Sequence, residues 1–211
     1  MKTILWDWNG TLLDDIDCCI ACVNVLLRKH SLPALDSVDA YRKKFRFPIE
    51  DYYRACGFDF SKTPFDALAR EYISLYHPAS KACRLVPGAL EALDAAREKG
   101  CRQIVLSASQ RDNLLDQMRA YPLEGYFAEV LGIGDVFARS KVELALRWRE
   151  KPENRDAEVV VIGDSFHDFE VATAIGARCV LFAGGHQLVT DDWKSRCSVA
   201  RTLPEAIARL G

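Results

Sequence analysis

The sequence predicts an α/β protein: a doubly wound parallel sheet interrupted early by an all-helical insertion. Three observations lead there. An apolar, β-branched run ending in polar residues opens the chain. A long stretch of helical periodicity with no convincing alternating segment follows, and from residue 86 onward short apolar runs alternate with amphipathic helical segments. At 211 residues the chain is long for a minimal domain and short for two, which suits one core carrying an insertion.

Taken in order, Ile4 to Trp8 combines aromatic and β-branched residues and runs into Asn9 and Gly10, so it reads as a buried strand delivering polar groups at its carboxyl edge. Residues 15–30 carry apolar side chains at helical spacing. The same period continues to about residue 85 through Val38, Tyr41, Phe45, Tyr52, Tyr53, Phe65, Leu68, Tyr72 and Leu75, punctuated by Pro33, Pro48, Pro64 and Pro78. A helical unit over 15–85 is therefore expected, with the core divided between 1–14 and 86–211. Beyond it the pattern predicts a helix over 87–99 closed by Gly100, a strand over 103–107 and a helix over 112–120. A strand over 129–133, a helix over 142–150, a strand over 158–162, a helix over 168–175 and a strand over 178–182 follow. Strands and helices in this alternation make βαβ units, hence a parallel sheet with helices on both faces. Trp6 and Trp8 alternate away from Asp7 and are assigned to packing.

Composition excludes several classes of function. With 28 basic against 30 acidic residues and a pI near 6.1, no large cationic surface for nucleic acid or anionic lipid is indicated. No run approaches the ~18 apolar residues of a membrane span, and the start lacks the apolar segment of a secretion signal, so a cytoplasmic protein is expected. The eight cysteines sit mostly within apolar patterns and read as free buried thiols. Cys19 and Cys22 form a CxxC, but no second Cys/His pair stands at zinc spacing. The expected partner is a small molecule, and the chain a monomer or homodimer.

In open parallel sheets the ligand crevice lies beyond the carboxyl ends of the strands, so the residues just after each apolar run matter most. Strand one ends in Asp7, Asn9, Gly10 and Thr11. The strand after the insertion ends in Ser107, Ala108 and Ser109, and the strand from Glu158 in Gly163, Asp164, Ser165, His167 and Asp168. Lys141 opens a helix after the turn at Gly132 to Asp135. Singly, each has an ordinary explanation as a turn or helix cap. Together, carboxylates from two strands, a hydroxyl and a lysine at one crevice suit phosphate chemistry with a hard cation, and an Asp can attack phosphorus as a covalent nucleophile.

In this order and spacing the four elements resemble the motifs of the haloacid dehalogenase superfamily, in its phosphoglycolate-phosphatase-like branch, over nearly the whole chain. Residues 7–14 resemble its first motif, Ser107 the second, Lys141 the third and Gly163-Asp164-Ser165-x-x-Asp168 the fourth. The resemblance implies a Rossmann-like core with a helical cap at 15–85 and a Mg²⁺-dependent phosphatase acting on a small phosphorylated metabolite. It further implies that Asp7 forms an aspartyl-phosphate and ligates Mg²⁺ with Asp164 and the backbone carbonyl of Asn9. Asp168 would support Lys141 or the metal, while Ser107 and Lys141 hold the phosphoryl oxygens beside Thr11, Ala108 and Ser109. Asp164 favours phosphorus over carbon as the centre attacked, because the dehalogenase branch lacks that acid.

Position 9 departs from the pattern, which has there the aspartate that protonates the leaving oxygen. A neutral amide cannot exchange that proton, placing a contribution of ~10²- to 10⁴-fold in question. Three readings follow: a phosphatase restricted to good leaving groups or drawing its proton from elsewhere, with His167 and His186 as candidates; a phosphonatase-like enzyme using a cap lysine among Lys29, Lys43, Lys44 and Lys62; and a non-catalytic binder of Mg²⁺ and phosphate. The cap's densest basic stretch runs from Tyr41 to Pro48, and Arg46 is its candidate for an anionic substrate group.

Overall fold

The computed structural model describes residues 1–137 and 140–210. In chain order the elements are β1 (Lys2–Trp6), β2 (Leu13–Asp14), α1 (Ile16–Lys29), α2 (Val38–Lys44), α3 (Ile49–Cys56), α4 (Phe65–Ser80) and β3 (Arg84–Leu85). Then come α5 (Ala89–Glu98), β4 (Arg102–Gln110), α6 (Arg111–Met118), β5 (Glu129–Ile133), α7 (Val142–Glu150), β6 (Glu158–Gly163) and α8 (Phe166–Ala174). The last are β7 (Arg178–Phe182), α9 (Asp191–Arg196), β8 (Ser198–Ala200) and α10 (Leu203–Ala208).

Six strands form one parallel sheet in the order β5-β4-β1-β6-β7-β8, so the predicted α/β class holds. Alternation along β1 sends Ile4 and Trp6 to one face and Leu5 to the other. The first face packs against α5 and α10 through Leu93, Ala96, Leu203 and Ile207, and takes in both tryptophans as expected. Their indole nitrogens are satisfied within this core, Trp6 donating to Gln103 and Trp8 to Gln117. The second face packs against α7 and α8 through Ala145, Trp148 and Val171. No helix among the described residues is long and apolar enough to cross a membrane.

Four helices, α1 to α4, stand between β2 and β3, which pair antiparallel with Leu13 opposite Leu85 and Asp14 opposite Arg84. This ribbon brings the two strands of chain that enter and leave the helical unit side by side. The unit has its own core, in which Val23, Leu26 and Leu27 of α1 meet Tyr52 and Tyr53 of α3 and Leu68 of α4. The sequence pattern did not reveal the ribbon, whose strands are two residues each, nor β8 with its flanking short helices.

Candidate active site

The carboxyl ends of β1, β4 and β6 meet at one point because β1 lies between the other two. β1 therefore delivers Asp7, β4 delivers Ser107 and β6 delivers Asp164, while Lys141 comes in from the start of α7. The Asp7 loop closes on itself, with Gly10, Leu12 and Leu13 tied back to Trp8 and Leu13. Gly10 has φ of 70°, and a Cβ there would lie 2.6 Å from an Asp164 carboxylate oxygen. Only glycine allows the first and third polar loops to approach this closely.

Lys141 is buried, and its Nζ lies 2.6 Å from Asp7 Oδ1, 2.7 Å from Asp168 Oδ1 and 3.2 Å from the carbonyl of Leu106. Burial would lower its pKa, but the two carboxylates outweigh it and hold the ammonium above its usual range. Asp168 sits behind the site as the acidic partner of a capping box, accepting from the Ser165 hydroxyl at 2.7 Å and from the backbone nitrogens of Asp164 and Ser165. Burial pushes Asp168 up, yet Lys141 and the Ser165 hydroxyl bring it below the ordinary value. Asp7 goes the other way: burial, opposed by Lys141 and reinforced by Asp168 and Asp164, raises it well above. Asp164 is likewise raised, chiefly by burial.

Asp7, Asp164 and Asp168 place carboxylate oxygens within 4.8 Å of one another. Ionised together, the three carboxylates would exceed the one ammonium by two negative charges in a buried site. That excess, the all-oxygen donor set and the raised Asp7 and Asp164 fit a hard divalent cation.

Asn9 is held on both sides. Its Nδ2 donates to Asp15 Oδ2 at 3.0 Å and to the Tyr76 hydroxyl at 2.6 Å, and its Oδ1 accepts from the Ser109 hydroxyl at 2.7 Å. Asp15 stands at the N-terminus of α1 but makes no side-chain cap. Its carboxylate turns inward instead, accepting from the Gly10 backbone nitrogen, Tyr76 and His186 Nε2, the last at 3.1 Å. His186 Nδ1 lies 2.8 Å from the Tyr41 hydroxyl, and its backbone nitrogen donates to Asp164 Oδ2. Burial alone would lower the imidazole, but Asp15, Asp164 and Asp7 push it up to about 9. Asp15 is raised by burial and brought below its ordinary value by His186, Tyr76 and Asn9. The two thus form a buried ion pair. Sequence reasoning missed Asp15, Tyr41 and Tyr76 as site residues: Asp15 read only as the start of the helical unit, Tyr41 as one of its helical apolar positions, and Tyr76 was not singled out.

A cavity of about 140 Å³ opens over Asp7, lined on the core side by Asn9, Ser107, Ala108, Ser109, Lys141, Asp164 and His186. The structure thus brings these sequence-derived candidates together. Thr11 is buried behind them, its hydroxyl on Asp164 Oδ1 at 3.2 Å rather than in the cavity wall. His167 is also set back: its Nε2 accepts from the Lys141 backbone nitrogen, its ring stacks on Phe47, and burial lowers its pKa. Arg46 departs from expectation. Exposed, it folds its guanidinium onto the carbonyls of Lys43 and Lys44 at the end of α2, where the last carbonyls lack helical partners. The arginine of that stretch that reaches the core is Arg42, which donates to the carbonyls of Gly184 and Gly185.

Comparison with known proteins agrees with this geometry. The family model for haloacid dehalogenase-like hydrolases matches residues 4–182, a span reaching from β1 through β7. The chain is 27% identical to the phosphoglycolate phosphatase of Nitrosospira multiformis, over 98% of this chain and 94% of that protein. It is 24% identical to the phosphoglycolate phosphatase of Rhodobacter capsulatus, over 87% and 85% respectively. Among solved structures, a haloacid dehalogenase-like hydrolase from Streptococcus pneumoniae superposes with a TM-score of 0.85 at 16% identity, covering 100% of this chain and 99% of that one. The match takes in the loops bearing Asp7, Ser107, Lys141 and Asp164 and the strands that present them, so this chain belongs to the haloacid dehalogenase-like hydrolase family.

Proposed function

We propose that the chain is a Mg²⁺-dependent phosphatase of a small phosphorylated metabolite, with Asp7 as nucleophile. The observation that carries this reading is the Asp7 carboxylate, buried at the cavity floor beside Lys141, Asp164 and Ser107. The names of the curated relatives supply the reaction class, phosphate ester hydrolysis.

Asp7, Asp164 and the backbone carbonyl of Asn9 would hold Mg²⁺, with Asp168 behind them. When bound, the ion supplies charge neutralisation and draws electron density from the phosphoryl oxygens. Asp7 attacks phosphorus, the ester oxygen leaves, and the aspartyl-phosphate is then hydrolysed. Lys141 orients Asp7 and compensates phosphoryl charge, and the Ser107 hydroxyl, which accepts from the Ser109 backbone nitrogen at 3.0 Å, donates toward the same oxygens.

Asn9 cannot protonate the leaving oxygen. Of the two histidine candidates, His186 lines the cavity whereas His167 does not. We assign the proton to His186, kept cationic by Asp15, with turnover slow or restricted to good leaving groups relative to an Asp at position 9. The phosphonatase reading loses support because none of its four lysines lines the cavity: Lys29 pairs with Glu71, and Lys44 donates to the Ala55 carbonyl. The binder reading is favoured by one fact, that every hydrogen-bonding atom of the Asn9 amide is engaged in structure.

Turnover of acetyl phosphate and 4-nitrophenyl phosphate with Mg²⁺ decides between them. Activity above an Asp7→Asn control is expected; equality with that control sinks the enzyme reading and leaves the binder. His186→Gln is expected to depress alkyl phosphate hydrolysis far more than hydrolysis of 4-nitrophenyl phosphate, whose leaving group departs unprotonated. An equal effect on both removes His186 as the donor.

A further inference from the structure

Beside the phosphoryl site stands a second group of ligating side chains with a different chemistry. Asp15, Cys19 and His186 place a carboxylate oxygen, a sulfur and an imidazole nitrogen within 4.8 Å of one another, all three residues are buried, and all three line the cavity. Asp15 and Cys19 stand one turn apart at the start of α1, and His186 follows β7, 171 positions after Asp15. Cys22, the other half of the CxxC, is not part of the group.

The spacing is close to that of a tetrahedral metal site. His186 Nε2 lies 3.1 Å from Asp15 Oδ1, and Cys19 Sγ lies 3.5 Å from Asp15 Oδ2. With Zn–N and Zn–O of about 2.1 Å and Zn–S of about 2.3 Å, tetrahedral ligands stand about 3.4 Å apart from N to O and about 3.6 Å from S to O. The two contacts fall on the two oxygens of one carboxylate, which an ion can chelate or bind through one. The ligands are also oriented from behind. His186 Nδ1 donates to the Tyr41 hydroxyl at 2.8 Å, which sets Nε2 toward Asp15, while the Gly10 backbone nitrogen, Asn9 Nδ2 and the Tyr76 hydroxyl hold the Asp15 carboxylate. Outer hydrogen bonds of this kind fix the tautomer and direction of metal-binding side chains.

Charge balance permits two protons to be exchanged for an ion. Cationic His186, ionised Asp15 and the Cys19 thiol sum to zero. A divalent cation held by a thiolate, a carboxylate and a neutral imidazole also sums to zero, the thiol and imidazolium protons leaving to solvent. The ion is therefore taken up without burying net charge. Sulfur and imidazole donors suit Zn²⁺ and similar cations, whereas the all-oxygen group of Asp7, Asp164 and Asp168 suits Mg²⁺.

We infer that Asp15, Cys19 and His186 form a second metal site, selective for Zn²⁺ or a like transition-metal cation, with its remaining coordination position turned to the cavity. The site stands independently of the phosphatase reaction proposed above. Its consequence rests on that reading: an ion on His186 Nε2 replaces the proton assigned to the leaving oxygen, so Zn²⁺ acts there as an inhibitor.

Co²⁺ reports such a site by its spectrum. The full chain, kept reduced by a non-coordinating phosphine and with Mg²⁺ in excess, is titrated with Co²⁺. A near-ultraviolet thiolate-to-cobalt charge-transfer band and the intense visible bands of four-coordinate cobalt are expected, and Zn²⁺ should abolish both. Cys19→Ser should remove the thiolate band and Cys22→Ser should keep it, with circular dichroism checking that each variant is folded. His186→Gln should weaken Co²⁺ binding tenfold or more, and it decides the matter if Cys19→Ser does not fold. Absence of the thiolate band in the wild type, its survival in folded Cys19→Ser, or unchanged affinity in His186→Gln overturns the proposal. No turnover is measured, so failure here is distinct from failure of the phosphatase reading, which the Asp7→Asn comparison decides.

Discussion

Replacing Asn9 by aspartate sets a second carboxylate against Asp15, whose Oδ2 now accepts from the Asn9 amide at 3.0 Å. Two like charges at that separation repel by roughly 5 kcal/mol at an effective dielectric of about 20. Taking up a proton instead costs only about 4 kcal/mol at pH 7, the gap between an ordinary aspartate pKa and that pH. The new side chain therefore keeps its proton in the folded state, far above the normal carboxylate range. The folded chain then binds one more proton than the unfolded one, so the stability lost relative to wild type grows with pH. It is about 1.5 kcal/mol at pH 5 and about 4 at pH 7, both upper bounds because the His186 cation beside Asp15 relieves part of the repulsion. Urea denaturation of both proteins in chelator across this range reads the difference directly. The same protonated carboxyl is a competent acid, so alkyl phosphate turnover with Mg²⁺ should rise by ~10²- to 10⁴-fold. A stability difference that does not vary with pH would show that residue 9 does not face Asp15, and the account of Asn9 would fall.

Lys141→Met leaves Asp7 and Asp168 buried without their ammonium; a stability loss of about 3–5 kcal/mol in chelator is expected, partly restored by Mg²⁺, and a loss under about 1 kcal/mol would contradict the pairing. His186 has a folded pKa of about 9 against an unfolded value near 6.5, so it contributes stability in full below the unfolded value and loses it as pH rises through 9. His186→Gln should erase a slope worth about 3 kcal/mol over that window in metal-free denaturation curves, and curves of equal slope would refute the ion pair. Mg²⁺ at a hundred times its Kd should stabilise the wild type by about 2.7 kcal/mol in thermal melts. Asp164→Asn should lose most of that shift, and retention of it would place the ion away from Asp164.

The α/β core was legible because its signals are local. Each strand from β4 to β7 carries a short apolar run, each helix between them is an amphipathic stretch, and the polar residues lie directly after the apolar runs, Ser107 still within β4. Hence Asp7, Ser107, Lys141 and Asp164 could be named before their meeting was seen. What stayed hidden depends on pairing between distant residues. Asp15 looks like a helix cap until His186, 171 positions away, is placed beside it. Tyr76 carries the spacing of a core residue, and only folding brings its hydroxyl to Asn9. Arg46 shows the converse: the composition of its stretch pointed to an anion, but free helix-end carbonyls lay nearer, and its neighbour Arg42 made the crossing to the core.

The place of β1 in the sheet sets the order in which the molecule assembles. Its two neighbours pair Thr3 with Arg102 and Lys2 with Glu158, so this central strand waits for chain lying beyond the whole helical unit. That unit, whose core joins its first helix to its last, is complete in sequence before either neighbour begins, and its helices form locally and therefore first. Refolding from denaturant should therefore show early helix formation and a later step that closes the sheet and, with it, seats Asp7. Until that step Asp7 has no lysine beside it, so the polar site is the last part of the molecule to be completed.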